Sequence, residues 1–439
     1  MRRRAALSTV AAAAAAALAL AGCTATGSSG DGQVESSEVS TTVPDEDVTL
    51  ELWYVNEPPV EALVDGFEKK HQNITVETTM VPFGDYIKSI KRAMSSDEAP
   101  DIAQFTPGAM RSLIPAGLIY NLDPYYEAYG WDEGFPESSL SSVTSNKEAT
   151  KFDTGSLYAV PGALSVLGVF YNKDLLKKAG IDEAPQTVQE FSDALDKAEQ
   201  AGIQPLSLGG LETGGFQLWN GLTNVLGDVQ DYKEWVYGAD GATIETEGAQ
   251  EAAEKIVDWV DSGYIPQGAS SVSDSDALAN FANGESLFLV SGNWNVSELS
   301  ETMGDDVGFF MLPGQTPDSE PVASGSSVSF SISSKTEHAN AAAAFLDYMR
   351  SPEAAQIQVD GGFMPVNADV DVQVDGLGAQ VAEGFRSVID GAGIVPFPDY
   401  AAPGMIDKLT AGVQGMITGH MEPEEYLDSL QSEWASYHD

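Results

Sequence analysis

The stretch Val48–Val81, VTLELWYVNEPPVEALVDGFEKKHQNITVETTMV, decides the fold class of this chain. In residues 48–54 and 74–81, apolar residues alternate with other residues, which is typical of half-buried β-strands. Between them, residues 60–67 carry apolar side chains at positions i, i+3, i+4 and i+7, the spacing of one helix face. A strand, a helix and a strand in this order form a βαβ unit with parallel strands. The stretch therefore predicts an α/β fold.

The same alternation begins again in the second part of the chain. Residues 166–171 form an apolar run typical of a strand, and residues 187–190 form a helix-capping box, Thr-Val-Gln-Glu. Residues 203–208 predict the next strand. The chain is also longer than one hydrophobic core usually supports. We therefore expect two α/β lobes.

The ends of the predicted strands indicate a candidate site. Open parallel sheets bind ligands in the crevice at the carboxyl ends of their strands. Three loops follow such ends, at residues 54–58, 105–108 and 292–294, and they carry aromatic, amide and carboxylate side chains. When two lobes face each other, loops of this kind line a single cleft between them.

The N-terminus has the pattern of an exported protein. Three arginines at positions 2–4 precede an alanine-rich apolar run, which is typical of a signal peptide and too weakly apolar for a membrane span. The run ends in Leu-Ala-Gly-Cys at residues 20–23, which resembles the bacterial lipobox, in which the cysteine is lipidated. We expect residues 1–22 to be a signal peptide and Cys23 to carry the lipid. The alternative is an ordinary signal peptide with an incidental cysteine.

Charge and cysteine content exclude several classes of function. The chain has 21 basic and 67 acidic residues and a formal net charge of −46, so nucleic acids and anionic lipid surfaces are poor partners. Cys23 is the only cysteine, so we expect no internal disulfide and no catalytic or metal-binding thiol. The four histidines are scattered, and we expect neither a metal nor a cofactor. Residues 23–46, rich in Ser, Thr, Gly and acidic residues, predict a flexible tether that begins at the lipidated cysteine.

Several short motifs occur in the order found in one protein family. They are APDI at 99–102, LIYNLDP at 118–124, GSLYAVP at 155–161, FYNKDLL at 170–176, FANGE at 281–285, SGNW at 291–294, VGFFMLPG at 307–314 and MPVN at 364–367. Together they resemble family 1 extracellular solute-binding proteins, whose best-known type binds maltodextrin. The resemblance extends from about Val48 to the C-terminus.

The resemblance implies a type II periplasmic-binding-protein-like fold, in which two lobes joined by three crossings close around a ligand as a hinged trap. The crossings are expected near residues 161–164, 322–327 and 363–366. The lobes are expected to comprise residues 47–161 plus 326–363, and residues 162–325 plus 364–439. The implied function is the substrate-binding component of an ABC importer. We therefore expect a monomer held on the extracytoplasmic face of the cell membrane through its N-terminal lipid only, which delivers a sugar to permease subunits.

A sugar packs its C–H faces on aromatic rings, and its hydroxyls bond amides, carboxylates and backbone groups. The strand ends and the resemblance together give the expected ligand-binding residues. They are Trp53, Asn56, Glu57, Phe105, Thr106, Ser165, Trp219, Asn293, Trp294, Ser324, Gly325, Ser326, Phe363, Phe397, Asp399 and Tyr400. Gly325 is expected to let the backbone approach the ligand closely.

Structural roles remain open for several of these residues. Trp53 is alternatively a core residue, with Asn56 and Glu57 capping the next helix. Thr106 is alternatively only the N-cap of a helix that begins at a proline. Trp219 is alternatively a core residue on a helix face.

Two other functions also remain open. One is a binding protein for a solute other than a sugar. The other is an anchored glycoside hydrolase, which needs two carboxyl groups roughly 5–10 Å apart across a cleft. A chain with 67 acidic residues does not exclude such a pair, but it has no Gly-x-Ser-x-Gly, P-loop or His-Glu-x-x-His signature. We expect a binding protein and not an enzyme.

Overall fold

A computed structural model of the protein describes residues 39–55, 59–131, 135, 137–366 and 370–439. The strands are β1 (Val48–Tyr54), β2 (Ile74–Met80), β3 (Ile102–Phe105), β4 (Thr144–Ser145), β5 (Ser156–Leu157), β6 (Val160–Asn172), β7 (Gln204–Ser207), β8 (Ser286–Gly292), β9 (Val307–Phe310), β10 (Val322–Ile332) and β11 (Gly393–Val395).

The helices cover both faces of the main sheet and form most of the C-terminal region. They are α1 (Val60–Lys70), α2 (Phe83–Ser95), α3 (Pro107–Met110), α4 (Asp123–Tyr129), α5 (Glu137–Ser141), α6 (Lys173–Lys178), α7 (Val188–Gln200), α8 (Gly214–Leu226), α9 (Val229–Tyr237), α10 (Glu247–Asp261), α11 (Asp274–Ala282), α12 (Val296–Met303), α13 (Ala339–Tyr348), α14 (Pro352–Asp360), α15 (Gly376–Asp390), α16 (Met405–Ile417) and α17 (Pro423–His438). Short 3₁₀ turns occur at Gln267–Ser271, Asn293–Asn295, Gly304–Asp306 and Pro398–Ala401.

The predicted βαβ unit is present, which confirms the α/β fold class. β1 and β2 pair in parallel along their full lengths, from Val48 opposite Ile74 to Tyr54 opposite Met80. The connecting helix α1 buries its apolar face, which includes Phe67. β3 then pairs in parallel with the other side of β1.

The main sheet is mixed, with the strand order β2-β1-β3-β10-β6-β8-β7. β7 and β8 are parallel, as are the strands at the other end of the sheet. The two central strands, β10 and β6, are antiparallel to each other. β10 is also antiparallel to β3, and β6 is antiparallel to β8. We call the half that contains β1–β3 the first lobe and the half that contains β7–β9 the second lobe.

Two long strands pass through both lobes. β10 pairs with β3 at its C-terminal end and with β11 at its N-terminal end. β6 pairs first with β10 and then with β8 and β9. At the junction, Ser327 lies opposite Leu164, which is in turn bridged to Met364. These three neighbouring segments are the crossings that the resemblance predicts, and they form the hinge of a two-lobed fold.

Each lobe has its own hydrophobic core. In the first lobe, α1, α13 and α14 pack on β1 and β2 around Phe67 and Phe345. A second cluster in that lobe joins α2 and α3. In the second lobe, α7, α8, α10, α16 and α17 surround Phe191 and Trp219, and a smaller cluster under β6 joins α11, α12 and α15. Separate cores allow the lobes to move as bodies about the hinge.

The last part of the predicted tether is bound to the first lobe. Asn73, which precedes β2, donates from Nδ2 to the carbonyl oxygens of Pro44 and Glu46 at 2.7 and 2.8 Å. Val39 and Val43 pack against the first-lobe core. The expectation of a free tether is therefore wrong for residues 39–46, because apolar contacts and hydrogen bonds hold them. Cys23 lies outside the described residues, and within them no helix has the length and apolarity that crossing a bilayer requires.

Candidate ligand-binding site

An aromatic row lies at the junction of the lobes. The half-buried indole of Trp294 packs against the cores of both lobes. Its ring centroid is 6.3 Å from that of Phe397, which is 6.0 Å from that of Tyr400. The hydroxyl of Tyr400 donates to Oγ of Ser326 on β10 at 3.0 Å. Four of the predicted site residues are thus brought together from three separate parts of the chain.

Thr106 carries a buried hydroxyl without a partner at the start of α3, the helix that contacts the turn at Pro398–Ala401. It is the N-cap of α3, and Pro107 occupies the first turn as the sequence predicts. Its side chain nevertheless makes no capping hydrogen bond, and Oγ1 is buried without any partner. A buried hydroxyl normally has a hydrogen-bond partner, so Oγ1 of Thr106 is an unsatisfied polar atom in this arrangement. Capping therefore does not account for Thr106.

Helix α3 and the 3₁₀ turn at Pro398–Ala401 face each other across the two lobes. A Cβ atom on Gly108 would lie 2.5 Å from the carbonyl oxygen of Asp399, so only glycine permits this approach. Asp399 is itself buried. Burial and the nearby Asp399 carboxylate raise the pKa of Tyr232 well above its usual value, so Tyr232 stays neutral.

The predicted residues of the hinge strands mostly contact protein. Oγ of Ser165 donates to the carbonyl oxygen of Ser326 at 3.1 Å, and Oγ of Ser324 accepts from Nδ2 of Asn224 at 2.9 Å. A Cβ atom on Gly325 would collide with the carbonyl oxygen of Ser165. The expectation that Gly325 makes room for a ligand is therefore wrong in this arrangement, since the close approach is that of β6.

Asn293 ties two crossings together. Its Oδ1 accepts from the backbone N–H of Val166 at 3.0 Å. Its Nδ2 donates to the carbonyl oxygens of Gly362 at 2.9 Å and Leu164 at 3.3 Å. The side chain is fully buried, and both N–H groups are engaged. The structure thus places Asn293 in the hinge, where no amide N–H is left for a ligand.

Other predicted residues lie in the cores or outside the described chain. Trp219 is fully buried among second-lobe helices, packs edge-on against Tyr426, and donates to the carbonyl oxygen of Ala249. Its expected stacking on a ligand is therefore wrong in this arrangement. Phe363 is likewise a first-lobe core residue. Trp53 is half-buried against a first-lobe cluster that contains Phe105. Asn56 and Glu57 lie outside the described residues.

Arg111 is a contact between the lobes that sequence reasoning missed. Its Nε donates to the carbonyl oxygen of Tyr400 at 2.6 Å, and its Nη2 donates to that of Val236 at 2.9 Å, both in the second lobe. Its Nη1 donates to the carbonyl oxygen of Ala149 in the first lobe at 2.6 Å. Burial lowers the pKa of Arg111 to about 10. A lone arginine after a short helix gives no sequence signal, because most arginines are exposed.

The junction is closely packed in this arrangement. The cavity between Ser142 and Ser327 of the first lobe and Ile394 of the second has a volume of only about 10 Å³. That is room for roughly one water molecule. This cavity therefore has no room for a ligand larger than water. In the described ranges, no cluster of His, Cys, Asp and Glu side chains is arranged to hold a metal ion.

Comparisons with known proteins agree with this architecture. The family model described as bacterial extracellular solute-binding protein matches residues 62–381. The multiple sugar-binding protein of Streptococcus mutans is 26% identical over 314 residues, which are 69% of this chain and 70% of that protein.

Solved structures of two binding proteins have the same fold. A chitin oligosaccharide binding protein superposes with a TM-score of 0.76 at 22% identity, covering 90% of this chain and 100% of that one. The binding protein RafE in complex with raffinose gives a TM-score of 0.71 at 20% identity, covering 89% of this chain and 100% of that one. At these identities the structural likeness establishes the fold.

Proposed function

The chain belongs to the bacterial extracellular solute-binding protein family, and from this premise we propose that it is the substrate-binding component of an ABC importer, with a carbohydrate as its ligand. An oligosaccharide fits the proposal best, because the aromatic row extends over three rings. The relative named a multiple sugar-binding protein supports the sugar class.

The row of Trp294, Phe397 and Tyr400 is the observation that carries this proposal. A sugar ring exposes C–H groups on its faces, which pack favourably on aromatic rings, and hydroxyls around its rim. The unpartnered Oγ1 of Thr106 would bond such a hydroxyl. Trp53, Phe105, Ser165, Ser324 and Asp399 remain proposed contacts, and Asn56 and Glu57 are proposed from the sequence alone.

Closure about the hinge would bury the ligand. We assign residues 47–161 plus 326–363 to the first lobe and residues 162–325 plus 364–439 to the second. Bending would be confined to the three crossings, near Leu164, Gly325 and Met364, because these are the segments at which the lobes join. The site forms as the two walls approach each other, as in hinge closure generally.

The proposed location follows from the N-terminal sequence. A lipid on Cys23 would hold the mature protein on the extracytoplasmic face of the cell membrane, and residues 24–38 would link it to the docked segment at 39–46. Stable anchoring requires more than one acyl chain. From this position a monomer would deliver its ligand to permease subunits.

Catalysis is not part of the proposal. The family and its relatives are binding proteins. A glycoside hydrolase needs two carboxyl groups across the cleft. The proposed walls instead carry aromatic rings and hydroxyls, and among the described residues the acidic one proposed for them is the buried Asp399.

A ligand screen tests the function. The chain with Cys23→Ser, which cannot be lipidated, would be melted in the presence of mono- and oligosaccharides, and of sn-glycerol 3-phosphate and short peptides as non-sugar solutes. A sugar that binds the folded state stabilises it, so the melting temperature rises with the sugar concentration. At a sugar concentration of 100 times the Kd, the free energy of unfolding increases by about 2.7 kcal/mol. A response to non-sugar solutes alone would overturn the sugar class. Recovery of cleaved sugar would overturn the binding-only role.

A further inference from the structure

We propose that Arg111 is the centre of a latch that holds the two lobes closed, and that the strength of this latch sets how much of the protein is closed before ligand arrives. The latch comprises Arg111 and residues 149–152 of the first lobe, and residues 236–240, Tyr400 and Tyr437 of the second. The inference rests on the hinge motion proposed above and goes beyond it, because it concerns the protein without ligand.

The guanidinium of Arg111 connects the lobes through all three of its nitrogen atoms. Two of them donate to second-lobe carbonyl oxygens, and the third donates to Ala149 of its own lobe. The group also lies 4.4 Å from the ring centroid of Phe152 and 5.5 Å from that of Tyr437, one from each lobe. Closure thus places one cation among acceptors and rings that neither lobe provides alone.

Separation of the lobes would leave Ala149 as the only one of these three acceptors within the first lobe. Arg111 is 1% exposed here, and none of the described carboxylates forms an ion pair with it. A buried charge is tolerated only when its hydrogen bonds are satisfied. In the closed arrangement, carbonyl oxygens accept the hydrogen bonds of the Arg111 guanidinium. When the lobes open, water replaces the carbonyl oxygens of Tyr400 and Val236 as acceptors.

Further contacts extend the latch on both sides of Arg111. The backbone N–H of Phe152 donates to the carbonyl oxygen of Tyr237 at 2.9 Å across the lobes. The hydroxyl of Tyr437 donates to the carbonyl oxygen of Ala149 at 3.0 Å. Nζ of Lys151 lies 2.8 Å from Oδ1 of Asp240, but both side chains are exposed, so this ion pair adds little.

None of these contacts belongs to a crossing. The hinge segments stay joined in any arrangement of the lobes, whereas contacts between α3 and the second lobe exist only when the lobes are close. The latch therefore favours the closed arrangement specifically. If the closed arrangement is the one that holds ligand, the apparent Kd equals the intrinsic Kd divided by the closed fraction.

Spin labels measure the closed fraction without any ligand. With Cys23→Ser the chain has no cysteine, so exposed Lys69 and Asp193, one in each lobe, can be replaced by cysteine and labelled. We expect the parent to show mainly the short distance of this structure. Arg111→Met, which keeps the unbranched apolar part of the side chain but removes the guanidinium and its donors, should shift the distribution to longer distances. A parent that is mainly open, or an Arg111→Met distribution equal to that of the parent, overturns the latch.

A second variant protects the test against misfolding. Gly108→Ala places a methyl group 2.5 Å from the carbonyl oxygen of Asp399 in the other lobe, so it obstructs closure. It should also lengthen the distance, whereas Gly84→Ala, on a helix where nothing lies near the added methyl, should not. Equal distributions for Gly108→Ala and Gly84→Ala would overturn the latch. Because no sugar is used, these results are independent of the proposed ligand.

For a sugar found in the screen, the same variants should weaken binding about tenfold, within the usual range for coupled equilibria. The loss should appear mainly as faster release, because an unlatched protein reopens more easily. Unchanged affinity in an opened variant would show that closure by the latch is not coupled to binding and would overturn that part of the inference.

Discussion

The indole of Trp294 and the ring of Phe397 meet edge to face at the lobe junction, with centroids 6.3 Å apart and an interplanar angle of 62°. Trp294 follows β8, whereas Phe397 follows β11. β8 pairs with β6 and β7, whereas β11 pairs with β10. The pair therefore exists only because the fold brings both strand ends to the hinge.

Trp294→Ala should weaken sugar binding by about 2–4 kcal/mol, because it removes the largest and least buried ring of the aromatic row. Isothermal titration with the best sugar from the screen measures this loss. Trp219→Phe is the matched control, since Trp219 lies in the second-lobe core. Equal affinities for Trp294→Ala and the parent, with an intact fold, would contradict the proposed site.

Thr106→Val should affect stability and binding in opposite directions. The buried Oγ1 has no partner, so replacing it with a methyl group should raise the free energy of unfolding by about 1 kcal/mol. The same change should weaken sugar binding by about 1 kcal/mol if the hydroxyl bonds the ligand. Urea unfolding and titration measure the two effects. Loss of stability without loss of affinity would assign Thr106 a purely structural role.

Asn293→Ala should destabilise the fold by about 2–4 kcal/mol, because it leaves buried backbone groups of two crossings without partners. Asn295→Ala is the control, since that side chain makes a single bond, to Oγ of Ser291. Unfolding in urea compares the two variants. Similar losses for both would show that the hinge does not depend on Asn293.

His438 should make the protein less stable in mild acid. Burial, together with the charge of Arg111, lowers the pKa of His438 to about 4. The backbone hydrogen bonds to Ala401 and Thr150 and the carboxylate of Asp439 act in the opposite direction but do not outweigh burial. In the unfolded chain the pKa of His438 is about 6.5. Between that pH and a pH of about 4, the unfolded state therefore binds more protons than the folded state. This contribution to stability is present at neutral pH and is lost as the pH falls through this window.

The His438→Gln variant isolates this effect from the many carboxylates. The difference in unfolding free energy between the parent and His438→Gln should decrease from pH 7 to pH 4.5. A difference that stays constant over this range would mean that His438 does not titrate abnormally. Tyr437, which lies edge-on to His438, is neutral throughout this range.

Cys23→Ala should prevent anchoring. The variant should be released to the medium or remain as an unprocessed precursor, because the proposed lipid would attach to the thiol and the chain has no other cysteine. Metabolic labelling with a radioactive fatty acid, together with fractionation, measures this. Normal lipid labelling of the variant would exclude Cys23 as the anchor site.

Local sequence patterns predicted the strands and the helix of the first βαβ unit well. The alternation in β1 and β2 and the spacing in α1 are local signals that tertiary structure did not override. The order of the family motifs supplied what local patterns lack, namely that the chain crosses between lobes three times. These two sources together also predicted Trp294, Phe397, Tyr400 and Ser326, which the structure brings together.

The rest of the site could not be predicted from the sequence, because it depends on whether each side chain points into a core or into the lobe junction. Trp219 lies on a helix that is apolar on most sides, so periodicity does not distinguish its core face from a cleft face. Arg111 looks like an ordinary surface residue until the second-lobe carbonyl oxygens are placed around it. Residues 39–46 have a tether's composition, and only the position of Asn73 shows that they are bound.

The sharing of β6 and β10 by both lobes also determines how the molecule denatures. Two domains joined by a loop can melt one at a time, whereas here the loss of either lobe removes ladder partners from a strand that the other lobe needs. Calorimetry should therefore show one cooperative heat-absorption peak rather than two.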